Sequence, residues 1–170
     1  MWINQSLKVY HGCDDVSAKG IVAHGIRLAS GSPTTDFGQG FYTTTNVHQA
    51  EQWANRRYHI RKARGAASAA VVEITIDRNV MAGLEHMAFV REDFAPNSDY
   101  WQLVAHCRGG NDHARAGTPG TGYYDVVYGP VSLYPQFLVI ADADQISFHT
   151  QDGLNVLTNA AVISHGSPAY

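Results

Sequence analysis

Nine histidines, two cysteines and fifteen acidic residues make up the reactive side chains of this 170-residue sequence. Few of them stand at spacings that chemistry can use. His48 and His59 are separated by ten residues and have no third ligand at a useful interval, and Cys13 and Cys107 cannot build a four-thiolate zinc site, so no metal is expected. Gly117-Thr118-Pro119-Gly120-Thr121-Gly122 has the composition of a phosphate loop but not its Gly-Lys-Ser/Thr ending. Gly38-Gln39-Gly40 precedes an expected strand, where a dinucleotide fingerprint would follow one. No Gly-x-Ser-x-Gly elbow presents a serine nucleophile. One charged stretch stands out. Arg56, Arg57, Arg61, Lys62 and Arg64 are interleaved with Tyr58 and His59, and no acid occurs between Trp53 and Arg64. Such a surface can grip nucleic-acid phosphates or an acidic protein partner. The dipole of a helix C-terminus also favours cations there without any partner.

A more specific pattern is spread along the first third. It runs from Tyr10-His11-Gly12, through Ile21-Val22-Ala23-His24-Gly25-Ile26, to Phe37-Gly38-Gln39-Gly40-Phe41-Tyr42-Thr43-Thr44, and then to Ala50 and Trp53. In this order the motifs resemble the NAD-binding half of ADP-ribosyltransferases of the diphtheria-toxin and poly(ADP-ribose) polymerase type, in particular small bacterial toxin-like members. The resemblance is close from Tyr10 to Trp53 and looser over the last third of the chain. It implies a fold of two small, crossed antiparallel sheets around an NAD cleft, with short flanking helices. It also implies roles. His11 would hydrogen-bond the ribose that carries nicotinamide, as an imidazole that can both give and accept is able to do. Gly12 would let the backbone approach the nicotinamide amide, where a side chain would block it. Tyr42 would stack on the nicotinamide ring, with Trp53 on its other face where a tyrosine is common. Ile26 to Thr35 would drape over the adenosine end.

The third element of the family is an acidic residue on a late strand that holds the ribose 2′-hydroxyl and stabilises an oxocarbenium-like transition state. The matching segment here is Asp144-Gln145-Ile146-Ser147-Phe148-His149-Thr150, which puts Gln145 at the acidic position. Gln136, in Pro135-Gln136-Phe137-Leu138-Val139, is a second alignment. An amide can hydrogen-bond a ribose hydroxyl, but it supplies no negative charge and no general base. Either the acceptor is itself anionic or activated by Asp142 or Asp144, or NAD is bound and turned over poorly. The resemblance therefore implies a mono-ADP-ribosyltransferase toxin that uses NAD as co-substrate, with His11, Tyr42 and Gln145 at its centre. A macromolecular acceptor, protein or nucleic acid, would meet Arg56, Arg57, Arg61 and Lys62, and a cognate antitoxin or immunity protein is an expected partner. The alternatives are a non-catalytic NAD or ADP-ribose binding module and an NAD-consuming RNA 2′-phosphotransferase.

The elements that must carry these residues are legible in outline. Residues 7–11 read as a strand stopped by Gly12, and Asp14 and Asp15 cap a helix through Ala23 that Gly25 closes. Residues 40–44 read as a strand, and Asn46 with Gln49 opens a helix to Ala63 with Ala50, Trp53 and Ala54 on one face. Residues 65–69 read as flexible, 71–76 as a strand, 99–108 as a helix, and 109–122 as a mobile loop. Further strands are expected at 125–128, ended by Gly129-Pro130, and at 137–140 and 145–149, with a helix at 152–157. Strands and helices lack a βαβ rhythm, so the class is α+β, a single domain over 1–163 with a flexible tail over 164–170. Only 16% of residues are charged, below the usual ~25%, which excludes a coiled coil or a solvated tail. The net charge of -3 argues against wholesale coating of nucleic acid. No apolar run spans a bilayer and Met1-Trp2-Ile3-Asn4-Gln5 does not read as a signal peptide, so a cytoplasm is the expected setting.

Overall fold

The computed structural model describes residues 4–90, 95–113 and 124–170. In chain order its elements are β1 (Leu7–Asp14), α1 (Asp15–His24), β2 (Phe41–Thr43), α2 (Val47–Arg61), β3 (Ala69–Ile76), α3 (Arg78–Met81), β4 (His86–Ala88), α4 (Asp99–Arg108), β5 (Val126–Ser132), β6 (Val139–Phe148), α5 (Gln151–Asn155) and β7 (Leu157–His165). The class is α+β with two sheets. One has the order β1-β3-β7 and the other β2-β6-β5-β4. All recorded pairings are antiparallel except β4 with β5. The chain divides into two compact units: residues 1–26, 43–83 and 155–170 form the first, and 27–42 with 84–154 the second. No helix among the described residues is long and apolar enough to cross a membrane.

In the first unit the local signals act as expected at the starts of α1 and α2. Asp14 accepts from the Ser17 N–H at 3.0 Å as the N-cap of α1, and Gly25 closes that helix at φ 78°. Asn46 accepts from the His48 and Gln49 N–H groups at the start of α2, each bond satisfying a donor that the first turn leaves open. Strand β3 is the middle of its sheet, and its apolar residues Ala69 to Val72, Ile74 and Ile76 are buried. Ala50 and Ala54 bring α2 down onto Ala69 and Val71.

Several boundaries differ from the sequence reading. Gly12 does not stop β1, because the strand stays paired with β3 to Asp14. Residues 65–69 are pinned, not flexible: the buried Asp15 carboxylate accepts from the N–H groups of Ala67 and Ser68 at 2.9 and 3.3 Å. The tail is also held. Gly166 N–H donates to the Ala69 carbonyl, Ala69 N–H to the Pro168 carbonyl, and Tyr170 exchanges hydrogen bonds with Asn55. Strand β7 was not expected at all. It lies at the sheet edge and alternates between half-buried and exposed residues, so its apolar signal is weak.

The second unit centres on α4. Tyr100, Trp101, Val104 and Cys107 are buried on one side of this helix, the first three in one cluster with Phe37 and Val127. The Tyr100 and Trp101 rings meet edge to face at 4.8 Å. Gly129-Pro130 does not end β5, which continues to Ser132 with a register shift after Pro130, a bulge position where proline is tolerated. The two late strands expected over 137–140 and 145–149 are one strand, β6, with Asp142 at φ 58° inside it. The expected loop of 109–122 falls mostly outside the described residues, and Gly117–Gly122 wholly so.

Candidate functional site

The residues singled out above divide between the units. His11, Gly12, Ile26, Trp53 and the cations belong to the first, and Tyr42, Gln136 and Gln145 to the second.

In the first unit His11 lies half-buried within β1, opposite Val72. Gly12 is fixed by packing. A Cβ built there would lie 2.0 Å from the Ala50 carbonyl oxygen and 2.8 Å from the Ala54 nitrogen, so the backbones of α2 and β1 touch at this residue. That contact also explains a correction. Ala50 and Ala54 are buried, but Trp53 is 49% exposed, because an indole has no room between elements this close. Arg56 instead places its guanidinium 5.2 Å from the Trp53 ring centroid, within cation–π range. The basic run is likewise not one uniform face. Arg61 pairs with the buried Asp14 carboxylate at 3.5 Å, whereas Arg56, Lys62 and Arg64 are exposed. Ile26 is half-buried just after the end of α1.

In the second unit Tyr42 stands on β2, next to β6. Its hydroxyl donates to the Gly38 carbonyl at 2.8 Å and accepts from the Phe37 N–H at 3.0 Å and from Thr35 Oγ1 at 2.8 Å. This clamps the turn from Thr35 to Gly38, and burial pushes the phenol well above its ordinary range. The hydroxyl is thus occupied inside the protein, while the ring packs against the Phe37 cluster and meets His149 edge to face at 6.2 Å. The two glutamine alignments separate cleanly. Gln136 sits exposed in the turn between β5 and β6. Gln145 is on β6, opposite Gly129, and is only 8% exposed, not an ordinary surface residue.

Gln145 belongs to a buried network that the sequence did not disclose. Its Nε2 donates to Asp36 Oδ2 at 2.7 Å and to the Pro130 carbonyl at 2.8 Å. Both neighbours only accept, so the amide orientation is fixed, with Nε2 and not Oε1 toward them. Asp36 is 2% exposed. Besides Gln145 it accepts from Ser132 N–H at 2.8 Å, Ser132 Oγ at 2.6 Å, Arg108 Nε at 2.8 Å and Arg108 Nη2 at 2.6 Å. Asp142 and Asp144 are the acids that the sequence offers to activate an acceptor. Asp142 is exposed, Asp144 neighbours Gln145 on an alternating strand, and the acid that Gln145 touches is Asp36.

A second cluster lies on the same unit. His149 donates from Nδ1 to the Gln39 carbonyl at 2.9 Å, which leaves Nε2 to accept from Ser147 Oγ at 2.7 Å. His113 packs its ring edge to face against His149 at 4.4 Å and donates from Nδ1 to the Phe37 carbonyl at 2.9 Å. His149 lines a cavity of about 300 Å3 with Leu28, Ala29, Gln39 and Asp112. Gly40 permits this arrangement, since a Cβ there would come 2.8 Å from the His149 ring. Burial, reinforced by the neighbouring His113, pushes His149 down to about 3, against the pull of the Gln39 carbonyl. The imidazole is therefore neutral at neutral pH. Below pH ~6.5 an unfolded chain takes up a proton there that the folded chain refuses. Stability falls as pH drops through that window, by up to ~1.4 kcal/mol per pH unit for this one group. His149→Gln is expected to flatten the slope of Tm between pH 7 and 4; parallel curves for parent and variant would contradict it.

Among the described residues no group of three or more His, Cys, Asp and Glu side chains could hold a metal ion, and Cys13 and Cys107 are buried free thiols. Four members of these two networks, Asp36, Arg108, Ser132 and His149, lay outside the sequence expectations. The first three carry no motif, and His149 enters the sequence pattern only as part of the segment that holds Gln145. No match is found among curated proteins. A family model described as a protein of unknown function (DUF3990) matches residues 7–133, from the start of β1 to just past β5. The chain belongs to the DUF3990 family.

Proposed function

We propose that this protein is a mono-ADP-ribosyltransferase that uses NAD as co-substrate. The observation that carries the reading is that the three motif residues all stand on strands in the required order: His11 with Gly12 on β1, Tyr42 on β2 and Gln145 on β6. Tyr42 and Gln145 occupy neighbouring strands of one sheet, which supports their acting on one ligand. In the proposed reaction the glycosidic bond of NAD breaks with nicotinamide as leaving group. A macromolecular nucleophile, on protein or nucleic acid, bonds to the ribose C1′ and gives up its proton. His11 and Gln145 hold ribose hydroxyls, and Tyr42 stacks on the nicotinamide. Trp53 is the second clamp on that ring, Ile26 contacts the adenosine end, and Arg56, Arg57, Arg61 and Lys62 bind the acceptor. The proposed setting is a bacterial toxin acting in a cytoplasm, held in check by a cognate antitoxin or immunity protein.

A second reading, an NAD or ADP-ribose binding module without turnover, is favoured by one observation. Gln145 is uncharged and its amide is tied to Asp36, so it brings no anion to an oxocarbenium centre, an effect worth a few kcal/mol elsewhere. Nicotinamide release from NAD separates the two readings, and tryptophan quenching by NAD reports binding alone. His11→Ala is expected to weaken NAD binding at least tenfold, equivalent to about 1.4 kcal/mol. Tyr42→Phe keeps the stacking ring and is expected to keep binding. Unchanged binding by His11→Ala would remove the site assignment.

A further inference from the structure

We infer that Asp36 is the positioning residue for Gln145 and the reason this chain carries glutamine, not glutamate, at that place on β6. The ligand side of the inference rests on the NAD reading above; the coupling of Asp36 to Gln145 does not. Three observations lead to it. The Asp36 carboxylate is 2% exposed and lies 2.7 Å from Gln145 Nε2. The second amide hydrogen goes to the Pro130 carbonyl at 2.8 Å. Arg108, from α4, provides one guanidinium on Asp36 at 2.6 Å. Among the described residues the charge of Asp36 also bears on Tyr42, Tyr100 and Cys107, all held in their neutral forms by burial. One acid therefore faces one base, and the balance closes only if residue 145 is neutral and donates. The result is an amide that cannot flip, with Oε1 always the acceptor offered to a sugar hydroxyl.

A glutamate at 145 would set a carboxylate oxygen where the amide nitrogen now stands, against Asp36 on one side and a carbonyl on the other. Two acids that close do not both ionise readily, so one holds its proton to higher pH. A carboxyl whose pKa is raised by folding contributes stability at low pH and loses it as pH rises. The test compares the parent with Gln145→Glu, Asp36→Asn and the double variant Asp36→Asn/Gln145→Glu, each melted between pH 5 and 8.5. Gln145→Glu is expected to match the parent within a few degrees near pH 5 and to lose ~5 °C or more by pH 8.5. The double variant, which has one acid again, is expected to recover most of that pH-dependent loss. A merely structural role for Asp36 would make the two substitutions add at every pH. A flat profile for Gln145→Glu, or a double variant with the same pH-dependent loss as the single, overturns the inference. The same four proteins are assayed for NAD quenching and nicotinamide release. If the melting pattern appears but the parent neither binds nor cleaves NAD, the NAD reading fails and the Asp36–Gln145 coupling stands.

Discussion

Asp36→Ala is expected to cost about 3–5 kcal/mol, the usual penalty for breaking a buried ion pair by removing one partner. It should lower Tm by roughly 10 °C. The size follows from what the carboxylate holds. It receives bonds from the Ser132 N–H and hydroxyl, from Gln145, and from Arg108 through two nitrogens. Removing it strands several donors, and the Ser132 N–H and the Gln145 amide lie too deep for water to replace the acceptor freely. Arg108 is a third exposed and can turn partly to solvent, which limits its own share. Asp36→Asn keeps the shape and one acceptor oxygen, so it should cost less than Asp36→Ala. Thermal melts of the two variants beside the parent check this. A loss below about 1 kcal/mol for Asp36→Ala, the range of an exposed ion pair, would mean that the network stabilises little.

Gly12→Ala is the second large effect, and it bears on how the proposed NAD site should be tested. The added methyl would stand 2.0 Å from the Ala50 carbonyl oxygen and 2.8 Å from the Ala54 nitrogen. Both atoms are backbone, so α2 must shift as a body against β1. Overpacking a tight core commonly costs 1–3 kcal/mol, and here the obstacle is main chain, so about 3 kcal/mol or more is expected. The readout is again the melt, together with the yield of folded protein. A Gly12→Ala variant with the parent's Tm would show that the helix yields easily. The resemblance explains this glycine by close approach of nicotinamide, and the fold explains it by close approach of a helix. Loss of NAD binding in a Gly12 variant therefore does not bear on the ligand, whereas His11→Ala does.

What could be read ahead of the structure follows from the range of the interactions. Asp14, Gly25 and Asn46 act on neighbours a few residues away, and the starts of α1 and α2 and the end of α1 came out as the sequence implied. Strand ends did not, because pairing decides them. Gly12 and Gly129-Pro130 look like stops locally, yet each has a partner across the sheet. The same reason hid the buried acid. Asp36 meets Arg108, Ser132 and Gln145 at separations of 72, 96 and 109 residues, and its immediate surroundings, Thr35-Asp36-Phe37-Gly38, look like an ordinary turn. His11, Tyr42 and Gln145 stood out because they sit in ordered motifs, and each lies on a strand. The atoms that tie Tyr42 and Gln145 down were not, since no spacing encodes a partner on another strand.

The sheet order β1-β3-β7 has a consequence for the chain while it is being made. β3 gains its first partner from residues already synthesised, but its second, β7, follows only after the whole of residues 77–156. At ~5–20 residues per second, that interval lasts roughly 4–16 s. Throughout it one side of β3 is an open edge of alanine, valine and isoleucine, the kind of strand that recruits foreign partners. A nascent or prematurely ended chain that stops before Leu157 is left with that edge permanently open, and β3 is where its mispairing would begin.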